Sequence, residues 1–410
     1  MSATPVPEAT SPVRSLQAYV GAWWSRVRSG DLGSLPILIG IVGIVAVFGI
    51  LDSRFFIERN FTNLLLQMAT VATLAIGIVF VLLLGEIDLS VAFVSATGAV
   101  VMTLLLRPGD PGWPWWAAIL AALVVTTVIG FLHALVITKA GVPSFVVTLA
   151  GLLTWSGVVL VLTTQFSTAG TIRIQDDVVV GIANQFLAPT AGWVIGLLAV
   201  GVFAYSQIRL SAVRAAGGLE RKPASVIALQ VVGVAVVVLG AIGYANRDRG
   251  LPTVTIILAF FLAVWSFVAS RTRFGRHVYA VGGNAEAARR AGIDVDRVRT
   301  AVFMISGFMA GVGGIVLASR LRSVATNTGG GNLLLNAIAA AVIGGTSLFG
   351  GKGRVSAAAL GAVVIASIEN GMNLLGLASG TKFVITGLVL LAAVLVDALS
   401  KRRRAARGVV

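Results

Sequence analysis

Residues Asn284 to Gly292, reading Asn-Ala-Glu-Ala-Ala-Arg-Arg-Ala-Gly, combine the signals that start and stop a short helix. Gly282 and Gly283 permit a sharp turn, Asn284 is a good N-cap, and Glu286 complements the helix dipole in the first turn. Gly292 then stops a helix of about seven residues, too short to be stable alone in water. Two supports fit it: its own bundle, or a groove on a cytoplasmic partner. A second group is Glu86, Asp88 and Ser90, which lie between two apolar runs with no polar loop around them. A charge at the bilayer centre costs about 2.5–3.5 kcal/mol on insertion scales, so such groups face a cavity or a partner. Either they cap a helix at the cytosolic surface, or they mark a break within the membrane whose helix ends point at a transport path. The third group is Glu369, Asn370 and Asn373, which share one helical face by their i, i+3 and i+4 relations. Carboxylate and amide groups suit a hydroxyl-rich ligand as acceptors and donors. Hydrogen bonding between helices fits them as well.

The elements that must carry these groups are membrane helices. Of the 410 residues 57% are apolar and only 11% charged, against about 25% charged in an average soluble domain, and the mean hydropathy is +0.96. Twelve apolar runs are predicted to span: 35–51, 63–84, 89–106, 115–137, 144–163, 192–207, 224–245, 253–270, 300–319, 333–348, 355–376 and 383–398. They are continuous rather than alternating, which excludes a closed barrel and leaves an all-α polytopic bundle. With the N-terminus inside, the inner segments hold more than two-thirds of the 31 lysines and arginines, so both termini are predicted to be cytoplasmic. The resulting organisation is a tail (1–34), a membrane domain (35–398) and a basic tail (399–410). The longest outer loop, 164–191, is a candidate docking surface, and 271–299 is the longest inner connection. No cleavable signal peptide is evident, and the segment around Trp23 and Trp24 is read as tail rather than as an interfacial helix.

Several classes of chemistry fall away. There is no cysteine, and the two histidines, His133 and His277, are far apart, which leaves no thiolate zinc site and no His-rich metal centre. His133 is read as a packed or interhelical residue. The net charge of +15 follows membrane topology rather than marking a nucleic-acid partner, and Lys401 to Arg404 suit anionic lipid. Gly307-x-x-x-Gly311 is assigned to close helix packing within the chain. The run from Gly345 to Gly353 superficially resembles a phosphate loop, but Thr346 stands at the first glycine position and Gly353 replaces the magnesium-binding hydroxyl. It is a turn, so ATP hydrolysis belongs to another polypeptide. Gly85–Val101 and Gly350–Val364 faintly echo one another, as internal repeats of transporters do.

Glu286-Ala287-Ala288-x-x-x-Gly292 resembles the EAA loop of ATP-binding-cassette (ABC) importer permeases, the element that sits in a cleft on the ATPase subunit. The later Ile-x-Leu-Pro half of that motif is missing, a departure typical of the ribose/xylose/galactose-type sugar permeases. The hallmarks of that branch occur in order as Gly85-Glu86-Ile87-Asp88-Leu89-Ser90-Val91, Val142-Pro143-Ser144-Phe145, Gly282-Gly283-Asn284, Gly344-Gly345-Thr346-Ser347-Leu348-x-Gly350-Gly351 and Glu369-Asn370-Gly371-Met372-Asn373. The resemblance runs from about Phe61 to Val396, and the extra stretch near 166–252 looks more like the xylose type than the ribose type. It implies a monosaccharide permease of a prokaryotic cell membrane and a second permease chain, with a homodimer the expected pairing. It also implies an external solute-binding protein that supplies most of the selectivity, and a cytoplasmic ATPase that binds ATP and magnesium, with no cofactor in this chain. Gly283, Asn284, Glu286, Ala287, Ala288 and Gly292 would then couple to the ATPase. Glu86, Asp88, Ser90, Glu369, Asn370 and Asn373 are the expected translocation path. The alternative kept beside this is a proton-coupled secondary sugar transporter using Glu86, Asp88 or Glu369.

Overall fold

The computed structural model describes residues 21, 24, 35–109, 111–218 and 221–406. The expected tail 1–34 lies outside them, apart from Gly21 and Trp24. The backbone of Lys401 to Arg404 continues the last helix, while their side chains lie outside the described ones.

Each of the twelve apolar runs is a helix. They are α1 (Leu35–Leu51), α2 (Glu58–Leu83), α3 (Val91–Leu105), α4 (Trp115–Lys139), α5 (Ser144–Phe166), α7 (Pro189–Ala216), α8 (Ala224–Ala245), α9 (Thr253–Arg271), α12 (Val295–Leu321), α13 (Leu333–Ile343), α14 (Ala357–Leu374) and α15 (Ser379–Ala406). Three shorter α-helices also occur among the described residues: α6 (Asp177–Asn184), α10 (Arg273–Gly283) and α11 (Ala285–Arg290). Prolines set several starts, with Pro114, Pro143, Pro223 and Pro252 at the N-caps of α4, α5, α8 and α9, where a fixed φ and a missing N–H cost nothing.

Not every run spans. Among the described residues, α2, α4, α5, α7, α8, α9, α12 and α14 are long and apolar enough to cross a bilayer. The expectation of twelve full spans is corrected most clearly at 89–106 and 333–348, which form helices of 15 and 11 residues. Eleven residues reach roughly 16 Å, about half the hydrocarbon thickness. The apolar composition continues past the helix ends, but Gly344 and Gly345 stop α13, and the run before α3 is taken up by the bend Gly85–Ser90.

The chain forms two compact units, and residues 187–251 lie in one of them. In that unit α7 and α8 are a hairpin with Gly196 against Ile242, closed where the Leu187 N–H donates to the Leu251 carbonyl at 2.9 Å. It covers most of the stretch 166–252 that the sequence set apart.

In the other unit α2 and α12 form the centre. From Ala69 to Leu83 every residue of α2 is buried, as expected of a helix apolar on all sides. α12 packs on α2, α3 and α4, and its Gly307 and Gly311 lie against Thr126 of α4, so this small-residue pair does pack within the chain. Strands β1 (Thr171–Arg173) and β2 (Ser323–Ala325) pair antiparallel, with Ile172 opposite Val324. α6 is stitched to the end of α12. The Ala183 N–H donates to Ser319 Oγ at 2.9 Å, and Asn184 Nδ2 donates to the Ser319 carbonyl at 2.6 Å.

Candidate functional site

The short helix α11 has six residues, and its caps are those the sequence specifies. Asn284 Oδ1 accepts from the Ala287 N–H at 2.9 Å. At the other end Gly292 takes φ +83, the Gly292 N–H donates to the Arg289 carbonyl and the Ile293 N–H to the Ala288 carbonyl, each at 3.0 Å. This is the full Schellman closure, which satisfies the last carbonyls of the helix. Glu286 pairs with Arg289 and Arg290, both at 3.2 Å, on a face that is more than half exposed. Gly283, Asn284 and Ala287 are exposed with it, while Ala288 is buried and anchors the opposite face. One side of α11 rests on the bundle and the other is open.

The base of α11 is locked to two other segments by backbone contact. A Cβ at Gly282 would collide with the Leu83 carbonyl oxygen at the end of α2, and that same oxygen accepts from the Gly351 N–H at 2.9 Å. Gly350 in turn lies against the Gly282 carbonyl and Gly85. The Tyr279 hydroxyl donates to the Gly353 carbonyl at 2.8 Å. The end of α2, the Gly85–Ser90 bend and the loop before α14 therefore meet at the base of α11. The two echoing segments, which start at Gly85 and Gly350, meet at this junction.

The bend is fastened by polar groups. Glu86 Oε1 lies 3.0 Å from Arg299 Nε near the start of α12. Asp88 is buried and accepts from the Ser90 N–H (3.0 Å), Ser90 Oγ (2.6 Å) and Ser306 Oγ (2.8 Å). The Ile87 N–H donates to Ser144 Oγ at 3.3 Å, and Thr148 Oγ1 donates to the Ile87 carbonyl at 3.2 Å. Trp155 Nε1 donates to His133 Nε2 at 3.2 Å, and His133 Nδ1 lies 3.4 Å from Ser90 Oγ. His133 is thus an interhelical residue, as its sequence context predicts.

A cavity of about 310 Å³ lies at the opposite end of the unit. Glu369 and Asn373 line it, as do Arg320 and Leu321 at the end of α12, β2, and the first turn of α13. Gln67 and Thr70 of α2 form another wall, with Thr70 13 residues, roughly 20 Å, from Leu83 at the α11 end. Asn336 Nδ2 donates to Glu369 Oε2 at 2.9 Å, and Lys382 Nζ donates to Asn373 Oδ1 at 2.6 Å. The six residues expected along a path therefore separate. Glu86, Asp88 and Ser90 belong to the bend, Glu369 and Asn373 to the cavity, and Asn370 turns to α2, where it exchanges two 2.9 Å amide hydrogen bonds with Asn60.

Gln67, Thr70, Arg320 and Asn336 are not apparent from sequence spacing alone. The signals for them are an arginine within the run of α12, an asparagine inside the alanine-rich α13, and the run Asn327-Thr-Gly-Gly-Gly-Asn332, which holds the chain's one stretch of three successive glycines. Its Gly329 takes φ +85 and packs on the Ala92 carbonyl, so this loop lies against α3.

The unit thus combines a long buried core pair, two short apolar helices, a polar bend and a capped projecting helix. Residues 60–394 match the family described as "Branched-chain amino acid transport system / permease component", and the chain belongs to that family of permease components. It is 37% identical over 382 residues to the xylose transport system permease protein XylH of Escherichia coli K12, covering 93% of this chain and 95% of that one. XylH of Haemophilus influenzae is 35% identical over 392 residues (92% and 99%), and the ribose import permease protein RbsC of Escherichia coli K12 is 29% identical over 391 residues (95% and 98%). No solved structure matches the chain. These relatives are transport subunits rather than enzymes, and they favour an importer permease over the proton-coupled alternative.

Proposed function

We propose that this chain is the permease subunit of an ABC importer for a monosaccharide, with xylose the leading substrate and another pentose or hexose next. ATP is hydrolysed by a separate cytoplasmic ATPase, which holds ATP and magnesium and receives α11 in a surface cleft. A second copy of the permease completes the membrane unit. A solute-binding protein docks on the outer loop 164–191, whose β1 pairs with β2 on the cavity wall. Both termini and the segment 271–299 face the cytoplasm in this arrangement, and the protein resides in a prokaryotic cell membrane.

The observation that carries this reading is α11 itself: six residues, closed at both ends, anchored through Ala288 and presenting Glu286, Ala287 and Gly292 outward. A helix of that length is marginal without support, and its exposed face carries the local pairs of Glu286 with Arg289 and Arg290. Replacing Gly292 by Val puts a β-branched residue at φ +83, which opens the Schellman closure. Xylose uptake in a deletion strain complemented with Gly292→Val is expected to be lost while the chain still inserts and the ATPase no longer co-purifies. Normal uptake by Gly292→Val would overturn the docking assignment. Uptake of ribose or galactose but not xylose by the wild type would transfer the substrate assignment to those sugars.

A further inference from the structure

The cavity opposite α11 carries more than a passage requires. Gln67 and Thr70 line it, and their buried Oε1 and Oγ1 have no hydrogen-bond partner among the described residues. Thr70 is 1% exposed, so its hydroxyl is not bathed in bulk solvent. A buried polar group without a partner costs on the order of 1–3 kcal/mol unless something fills it, and such groups therefore point to a ligand or to ordered water. Across the cavity stand the opposite chemistries: the Glu369 carboxylate as acceptor, the Arg320 guanidinium as donor, and the amides of Asn336 and Asn373. The N-terminus of the short helix α13 also ends here, with Asn332 and Leu333 in the wall. A helix start that opens on a cavity adds unpaired N–H donors to it.

We propose that this cavity is a low-affinity monosaccharide subsite contained within each permease chain, with Gln67 and Thr70 binding the sugar's hydroxyls from one wall and Glu369 and Asn373 from the other. The proposal rests on the reading of the chain as a sugar permease and goes beyond it by placing the sugar inside one subunit. Three features select an uncharged polyol. The lining holds both donors and acceptors, as a molecule whose hydroxyls each give and take a hydrogen bond requires. One arginine and one glutamate face the space, so the lining charge balances. The volume, about 310 Å³, stands at the small end of ligand pockets, which run from about 300 to 1,000 Å³. The lining includes no aromatic ring, so the sugar is held by hydrogen bonds that replace its hydration, each with a small net gain. Weak retention is what a carrier needs if it is to release its cargo. A zwitterionic amino acid is the competing ligand, since Arg320 and Glu369 would take its two charges. The density of amide and hydroxyl groups around them favours the sugar.

The test uses the full permease with its ATPase in lipid nanodiscs, with xylose binding read by saturation-transfer NMR and leucine as competitor. Thr70→Val is isosteric and removes a hydroxyl that makes no hydrogen bond among the described residues, so folding is expected to be unchanged or improved. Gln67→Leu is the second variant. Each is expected to weaken xylose binding about tenfold, equivalent to one hydrogen bond of about 1.4 kcal/mol. If the wild-type complex carries sugar but both variants bind xylose as it does, or if leucine displaces the xylose signal, the subsite assignment is overturned and the permease reading stands. If the wild-type complex carries no sugar at all, the permease reading fails and the subsite with it.

Discussion

Asp88 is held by hydroxyls and a backbone N–H rather than by a cation. Ser90 and Ser306 give it three hydrogen bonds between 2.6 and 3.0 Å, and Ser306 is 218 residues away in sequence. Replacing Ser306 by Ala leaves Asp88 Oδ2 without its donor, and hydrogen bonds to charged groups are worth about 1.5–3 kcal/mol. Ser306→Ala is therefore expected to lower stability by that amount in a detergent melt, without touching the face of α11. The contrast with α11 explains what could be read at the residue scale. Asn284, Glu286 and Gly292 act on neighbours within five residues, so capping rules find them. Glu86–Arg299, Asp88–Ser306 and Asn60–Asn370 join residues more than 200 positions apart, and no local pattern pairs them. The spacing of Glu369, Asn370 and Asn373 shows one helical face, but Asn60 across the interface decides that Asn370 turns away from the cavity.

At the scale of elements, composition located all twelve apolar helices and misjudged the length of some. A hydropathy run ends where polar residues begin, whereas a helix ends where its backbone turns. Gly345, at φ +94, is apolar by composition and ends α13 by conformation, and the bend Gly85–Ser90 takes up the first residues of the run of α3, so both helices come out shorter than their runs. The same residue type makes the junction at the base of α11. Gly282 touches the end of α2 so closely that a methyl group would push the Leu83 carbonyl aside and break its hydrogen bond from the Gly351 N–H. Gly282→Ala is expected to abolish or sharply reduce ATP-driven uptake while the ATPase still binds. The measurement is uptake set beside co-purification of the two subunits. Retained uptake would mean that α11 acts without this junction. The variant also separates transmission from docking, because Gly292→Val loses the partner and Gly282→Ala keeps it.

Across the whole molecule, the groups that the sequence brings to notice lie in two zones. The capped helix, the glycine junction and the Glu86–Arg299 pair form one end, and the Glu369 cavity with the β1–β2 pair forms the other, with α2 and α12 running between them. In the proposed topology the first end faces the cytoplasm, and the loop 164–191 joins the cavity wall at the second through the pairing of β1 with β2. Gly345–Gly353 forms turns before α14. The account therefore assigns the motor to a partner and the conduit to this chain. Its most direct test is accumulation of radiolabelled xylose in proteoliposomes, with the binding protein supplied on the outer side relative to α11 and ATP on the α11 side. The account predicts no accumulation with this chain alone, with or without a proton gradient, and uphill accumulation that survives an uncoupler once the ATPase is added. Accumulation against a gradient by the chain alone would contradict it.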